Sequence, residues 1–251
     1  LRVVEFAGLG AGQFGAMLLA DLGAEVLRIQ RPDAPHVDAT AVLNRNRASI
    51  VLDLKTSEGV RMARAALTRA DALIESSRPG VMERLGLGPE ECLTICPSLV
   101  YVRATGWGQV GPLASTAGHD INYIALPGVL SLMGRRDAQP TLPLNVIGDY
   151  GGGGMLVALG VLAGVMHARS PGGKGQVIDA SMVDGSSLLL SRVWSLRAEG
   201  RWRGDRGANL LDSGAPFYDG YVCAGGQDVA VGAIDPQFYR QLLARLKLDQ
   251  D

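Results

Sequence analysis

Lysine is nearly absent: of the 24 basic residues three are Lys and 21 are Arg. The cations are therefore mostly planar, fork-shaped donors suited to phosphates and carboxylates. No sign of charge is in excess either. The 24 Lys and Arg stand against 25 Asp and Glu, a formal net charge of −1, which argues against a dedicated nucleic-acid binder and its basic surplus. Cysteine is scarce, and Cys92, Cys96 and Cys223 are too scattered for a disulfide framework. Cys92 and Cys96, at i,i+4, read as reduced core thiols; no His or Cys at ligand spacing follows them, so no metal site is expected. The start carries no signal-peptide pattern. It opens on a strand-like Leu1-Arg-Val-Val-Glu-Phe6 without Met, from which a trimmed short leader is expected. The most apolar stretch, 151–166, reads as too short and too glycine-rich at its start to span a bilayer. The expectation is a buried helix in a cytoplasmic α/β protein. Repeats and low-complexity tracts are lacking.

What is present is core and glycine. With 251 residues, 47% hydrophobic and 20% charged, the chain can bury a sizeable core, which excludes intrinsic disorder and allows one large domain or one and part of another. Glycine stands at 34 of 251, nearly twice the usual share of about 7%. The clustering of these glycines points to tight turns and close backbone approach. Along the chain, strands are predicted over 3–6, 25–29, 48–53, 72–75, 99–104 and 176–181, with helices over 12–22, 57–69, 82–85, 89–95, 155–168 and 183–198. Such alternation predicts an α/β fold, a Rossmann-like large domain with a mostly parallel sheet. The Gly/Ser/Thr-rich 105–120 reads as a long functional loop, and 148–154 as a break before the apolar helix. After Arg206, short strands over 218–223 and 228–233 flank a Gly225-Gly226 hairpin. The predicted division is a large domain over 1–180, a helical linker over 181–206 and the beginning of a small α+β domain over 207–251.

Several constellations could carry chemistry. Gly10-Ala-Gly12-Gln-Phe-Gly15 follows a strand and opens a helix, the context of a dinucleotide fingerprint. The ribose-binding acid expected about 20 residues on is replaced by Gln30, with Arg31 beside it. An Arg there suits a ribose phosphate, of NADP or of coenzyme A; alternatively the glycines serve only helix–strand packing. Arg31, Lys55, Arg78, Arg84 and Arg103 fall at strand ends or turns, where open α/β sheets bind anionic ligands; each alone reads as well as a surface charge. Gly118-His119-Asp120 ends the polar loop, where His119 is either a satisfied core histidine or faces a cleft. In Gly148-Asp149-Tyr-Gly-Gly-Gly-Gly the carboxylate is either an ordinary helix cap or one of an acid–base pair beside N–H groups able to hold an enolate oxygen. Asp235, in Ile234-Asp-Pro236, reads by itself as a turn or cap residue.

Together these stretches resemble the family III CoA-transferase superfamily, and within it the α-methylacyl-CoA racemases, with the mycobacterial-type members most alike. The resemblance rests on Leu1-Arg-Val-Val-Glu-Phe-Ala-Gly, Ala20-Asp-Leu-Gly-Ala-Glu-Val, Leu52-Asp-Leu-Lys55, Arg78-Pro-Gly-Val, Gly86-Leu-Gly, Thr105-Gly-Trp-Gly-Gln, Ala117-Gly-His-Asp-Ile-Asn-Tyr123, Gly148-Asp-Tyr-Gly-Gly-Gly and Gly173-Lys-Gly-Gln-Val-Ile-Asp-Ala, and runs nearly end to end. It implies epimerisation of (2R)- and (2S)-2-methylacyl-CoA thioesters by 1,1-proton transfer through an enolate, with no cofactor beyond the coenzyme A of the substrate. His119 and Asp149 match the family's two bases. Arg31, Lys55, Arg78 and Arg84 match its CoA-binding cations, and Gly118, Asp120 and Tyr123 line the thioester site. Asp149, Tyr150 and Gly151 match its oxyanion segment. The glycine motif becomes a Rossmann-like turn without nicotinamide. Met133 and Met155 would offer adaptable surface to the acyl chain, with core filling as their default reading.

Two departures accompany the match. Asp235 stands where the racemases carry a supporting Glu, one methylene shorter. Family chains are also longer, completing the small domain and interlocking as a homodimer with a shared active site, so a truncated chain is expected. The alternatives are a family III CoA-transferase using Asp149 as acyl-accepting nucleophile, an inactive acyl-CoA-binding relative and an NADP-dependent reductase. His119 favours the racemase, because the transferase chemistry does not require it.

Overall fold

Val3 and Val4 are both buried in the first strand, β1 (Arg2–Phe6). Successive side chains of a strand point to opposite faces, so the two residues seed two cores. Val3 packs with Leu19, Val26, Ile74 and Val100, whereas Val4 packs with Ile29, Leu67, Leu73 and Tyr101. A strand buried on both faces belongs inside a parallel sheet covered by helices. The structure, a computed structural model, describes residues 1–34 and 42–248 and contains that sheet. Its elements are α1 (Ala11–Asp21), β2 (Glu25–Gln30), β3 (Ala48–Val51), α2 (Ser57–Leu67), β4 (Ala72–Glu75), α3 (Val81–Arg84), α4 (Pro89–Ile95) and β5 (Val100–Thr105). They continue with α5 (Asp120–Ala125), a π-helix (Val146–Gly154), α6 (Met155–Ala168), β6 (Gln176–Ser181) and α7 (Met182–Leu189). All six strands pair in parallel in the order β3-β2-β1-β4-β5-β6. This is the doubly wound order, whose direction of winding reverses between β1 and β4, and ligands of such sheets bind outside the carboxyl ends of the strands at that reversal.

Two expectations are corrected. The glycine run 148–154 does not break the chain before the apolar helix but is itself helical, with i→i+5 geometry, and passes into α6 to give one helical run, Val146–Ala168. The reason is packing: a Cβ on Gly153 would lie 2.6 Å from Ala11 Cβ, and one on Gly152 would lie 2.7 Å from the Ser186 nitrogen. Only a bare backbone fits between α1 and α7. At 23 residues, with a mean hydropathy of 1.5 over an 18-residue window, this run is long and apolar enough to cross a membrane by length and composition, contrary to the sequence reading. Val157, Val161 and Val165 are nonetheless buried with the β-sheet core, and Gly160 and Gly164 bring the helix against Ile178 and Val100. The second correction concerns 183–198, which is two helices, α7 and α8 (Ser191–Ala198), rather than one.

Contacts divide the chain into two units, Leu1–Pro127 with Leu144–Leu189, and Gly128–Pro143 with Leu190–Asp251. The sheet belongs wholly to the first. In the second, α8 is followed by the hairpin β7 (Tyr218–Val222) and β8 (Asp228–Gly232) and by α9 (Pro236–Leu246). The antiparallel pair turns at Gly226, whose φ of +77° is the left-handed conformation that glycine favours. Arg206 ties the inserted segment into this unit by donating to the carbonyls of Ser131, Arg135 and Ala138. Among the described residues the unit has a single two-stranded sheet.

Candidate active site

A cavity of about 390 Å³ opens where the sheet's winding reverses. Its wall comes from the segments that leave three neighbouring strands: Leu9–Ala11 after β1 as 9–11, Ser76 to Pro79 as 76–79 after β4, and 104–107 at the end of β5. The remaining wall is Ala114, 116–119 with Tyr123, Asp149 of the π-helix, and Met182. His119, Asp149, Arg78, Gly118 and Tyr123, separated by up to 71 positions in sequence, thus share one space.

The Asp149 carboxylate is held in a cradle. Gly10, at φ +64° and ψ −120°, adopts a conformation open essentially to glycine, and a Cβ there would lie 2.9 Å from Asp149 Oδ2. Asn145 Nδ2 donates to the same oxygen at 3.0 Å. The Asp149 N–H donates to Asp120 Oδ1 at 2.6 Å, and Phe14 stacks on the neighbouring Tyr150 with ring centroids 4.5 Å apart. Gly10 also caps α1, an 11-residue helix whose N-terminus favours negative charge. In dinucleotide folds that spot receives a pyrophosphate; in this chain Asp149 supplies the charge from within. The other motif glycines serve close packing, since a Cβ on Gly12 would lie 2.1 Å from Ser76 Oγ and one on Gly15 would lie 2.8 Å from the Gly154 carbonyl oxygen.

His119 is an exposed residue rather than a core histidine. It precedes α5, and its N–H donates to Asn122 Oδ1 at 3.0 Å, which fixes the backbone from which the imidazole projects. Tyr123, one turn on, donates its hydroxyl to the Gly118 carbonyl and meets Trp107 edge to face at 4.8 Å. Burial pushes the Tyr123 phenol up from its ordinary value, so it remains a donor. Asp120 is buried and faces away from the cavity wall. Asp149 lies at the fourth position of the π-helix, not ahead of a helix, and its N–H is already donated to Asp120. That N–H is therefore not a free oxyanion donor, and Tyr150 and Gly151 are outside the cavity lining.

The five cations do not converge on one mouth. Arg78 lines the cavity, whereas Lys55 and Arg84 line a separate cleft of about 540 Å³ in the same unit, beside Arg61 and Arg64. Arg61 is engaged with Glu58 at 2.6 Å and Arg64 with the Gly86 carbonyl at 2.7 Å. The segment from Arg78 through α3 joins the two openings. Arg31 is exposed and lies 3.5 Å from Asp33. Arg103 is buried in a central strand, bound to Glu75 at 2.9 Å and Glu83 at 2.7 Å. A buried guanidinium must be neutralised where it stands, so Arg103 is no ligand cation. Asp235 belongs to the second unit, where it is exposed and caps α9 through its backbone; Met133 lies in that unit as well.

Ser76 and Ser77 were not singled out by sequence, and Thr105 and Trp107 appeared only within a matching stretch with no role assigned, yet all four line the cavity. The available signal was topological: each lies at or just beyond the carboxyl end of β4 or β5. Among the described residues, no group of three or more His, Cys, Asp or Glu could hold a metal ion.

This fold recurs in known proteins. A crystal structure of a CAIB/BAIF family protein from Brucella suis superimposes with a TM-score of 0.81 at 28% identity, covering 99% of this chain and 69% of that one. The chain is 49% identical over 251 residues to the alpha-methylacyl-CoA racemase of Mus musculus and 47% identical to that of Homo sapiens. All of this chain is covered in both matches, against 65% of each relative, so it spans just under two thirds of their length. The model of CoA-transferase family III matches residues 1–250. With the family model matching nearly the whole chain and relatives at 47–49% identity, the chain belongs to CoA-transferase family III.

Proposed function

We propose that this chain carries the acid–base machinery of an enzyme that interconverts (2R)- and (2S)-2-methylacyl-CoA thioesters, the activity for which its mouse and human relatives are named. The observation that carries the reading is that an exposed imidazole and a cradled carboxylate, His119 and Asp149, line one cavity from two different elements. One base takes the α-proton and leaves its electron pair in the enolate. The other base, entering protonated, gives a proton to the opposite face. General acid–base catalysis by positioned side chains contributes about 10²–10⁴-fold. Both groups belong to the chain, so the reaction needs only the coenzyme A already in the thioester.

Arg78 inside the cavity and Lys55 with Arg84 in the neighbouring cleft are suited to the phosphates of that coenzyme A, at two stations along the bound molecule. Arg31 would add a charge at the edge. A homodimer is part of the proposal. Met155, Leu159, Leu162 and Met166 form an exposed apolar stripe along one face of α6, which a second copy would cover.

A family III CoA-transferase is the second reading, favoured by the open carboxylate of Asp149. That oxygen would attack the thioester carbonyl, releasing the CoA thiolate and leaving an anhydride. A second carboxylate then attacks the anhydride at the Asp149 carbonyl and displaces the first acid. The retained thiolate attacks the new acyl carbonyl, giving the second thioester and freeing the Asp149 carboxylate. Proton NMR of a single-epimer 2-methylacyl-CoA in deuterium oxide separates the two. Loss of the α-proton signal with growth of the other epimer is expected. Transfer of CoA to an added carboxylic acid without α-exchange identifies the transferase, and tight binding with neither reaction an inactive relative.

A further inference from the structure

We propose that the Asp120 side chain is a positioning residue that registers the two bases against each other: it binds the backbone of Asp149 while its own residue directly follows His119. The inference rests on the racemase reading for its kinetic consequences and on geometry for the rest. Asp120 is the first residue of α5 and is 8% exposed. Its Oδ1 accepts the Asp149 N–H at 2.6 Å across 29 residues of sequence, and the Gly148 N–H is directed at the same carboxylate. A Cβ on Gly148 would stand 2.5 Å from Oδ1, so the carboxylate is pressed onto bare backbone. Its Oδ2 is buried without a hydrogen-bond partner, and no Arg or Lys forms an ion pair with it among the described residues.

A buried carboxylate without a cation is expensive. The molecule contains the cheaper arrangement elsewhere, because Glu75, buried more deeply still, has Arg103 at 2.9 Å. At Asp120 burial pushes the carboxyl above its ordinary value, and the two N–H groups work against that push. Simple packing would be served by an apolar residue. What the carboxylate adds is a bond from α5, whose N-terminal boundary is His119, to the residue that projects the second base. The N–H of residue 149 cannot shift without breaking this bond, so the separation of imidazole and carboxylate is fixed by one short helix. Catalytic geometry is sensitive at this scale, where about 1 Å of misplacement costs about 10²-fold.

The test uses the full chain with Asp120→Ala and Asp120→Asn. Amide hydrogen exchange reads the bond itself: the residue 149 amide is expected to exchange at least about 100-fold faster in Asp120→Ala than in the parent, following loss of a charged acceptor. Kinetically, kcat is expected to fall about 30- to 100-fold with KM within about threefold, and α-proton washout to slow unequally for the two epimers. Asp120→Asn, which keeps an oxygen acceptor, is expected to recover part of both losses. A folded Asp120→Ala variant with an unchanged 149 amide, or with both epimers slowed equally, overturns the inference; if the alanine variant does not fold, the same two readouts on Asp120→Asn decide it. A parent protein that exchanges no α-proton overturns the racemase reading instead, and the amide result still decides whether Asp120 holds Asp149.

Discussion

The two openings of the first unit are built from opposite materials. The cavity at the winding reversal holds one cation, Arg78, with an imidazole, a carboxylate and a wall of small residues, whereas the cleft beside α2 gathers Lys55, Arg61, Arg64 and Arg84 and has no acid in its lining. The first has groups suited to moving protons and one cation for a phosphate; the second has several cations and no acid or imidazole. On the proposed function, reaction and anchoring fall to separate walls joined by the segment from Arg78 to Arg84. Binding energy gathered at the second can be applied at the first.

The allotment makes graded predictions. Asp149→Asn is expected to have the largest effect, lowering α-proton exchange about 10³-fold, within the span of a lost general base, while acyl-CoA affinity measured by calorimetry changes less than threefold. Equal damage to affinity would mean that the cavity also anchors. His119→Ala is next, at about 10²-fold, and is expected to suppress washout from one epimer far more than from the other. Symmetric loss would show that the imidazole is not a face-specific base. Lys55→Ala and Arg84→Ala are each expected to raise KM about tenfold, the value of one charge-assisted hydrogen bond, with kcat unchanged. With a pantetheine thioester, which lacks the nucleotide, neither variant should differ from the parent. Gly10→Ala comes last. Its Cβ forces a strained backbone of about 1–3 kcal/mol, so Tm is expected to drop by roughly 2–10 °C, and the crowded Asp149 to lose several-fold in kcat.

The strands were legible because burial on both faces writes itself as continuous apolar runs; 72–75 coincides with β4. The cavity was legible through His119 and Asp149, which the resemblance identified, and through the glycine motif, whose context was correct although its use was left open. Other features depended on partners distant in sequence. Gly148 to Gly154 carry the composition of a break and become a helix only because α1, α5 and α7 close on them. Arg103 carries the position of a ligand cation, and nothing in its own segment announces Glu75 and Glu83. Asp120 carries the position of a substrate contact, yet its carboxylate turns inward to a backbone 29 residues away. Local sequence records what a residue is; whether it is spent internally depends on the assembled sheet.

The seat at Gly10 has a consequence for the history of such folds. A mutation restoring an acid at Gln30 would complete the dinucleotide signature on paper and still recruit no dinucleotide, because a fixed anion already sits over the turn. Regaining that ligand would require surrendering Asp149, and with it the proposed chemistry. The two uses of the scaffold compete for a single place beside Gly10.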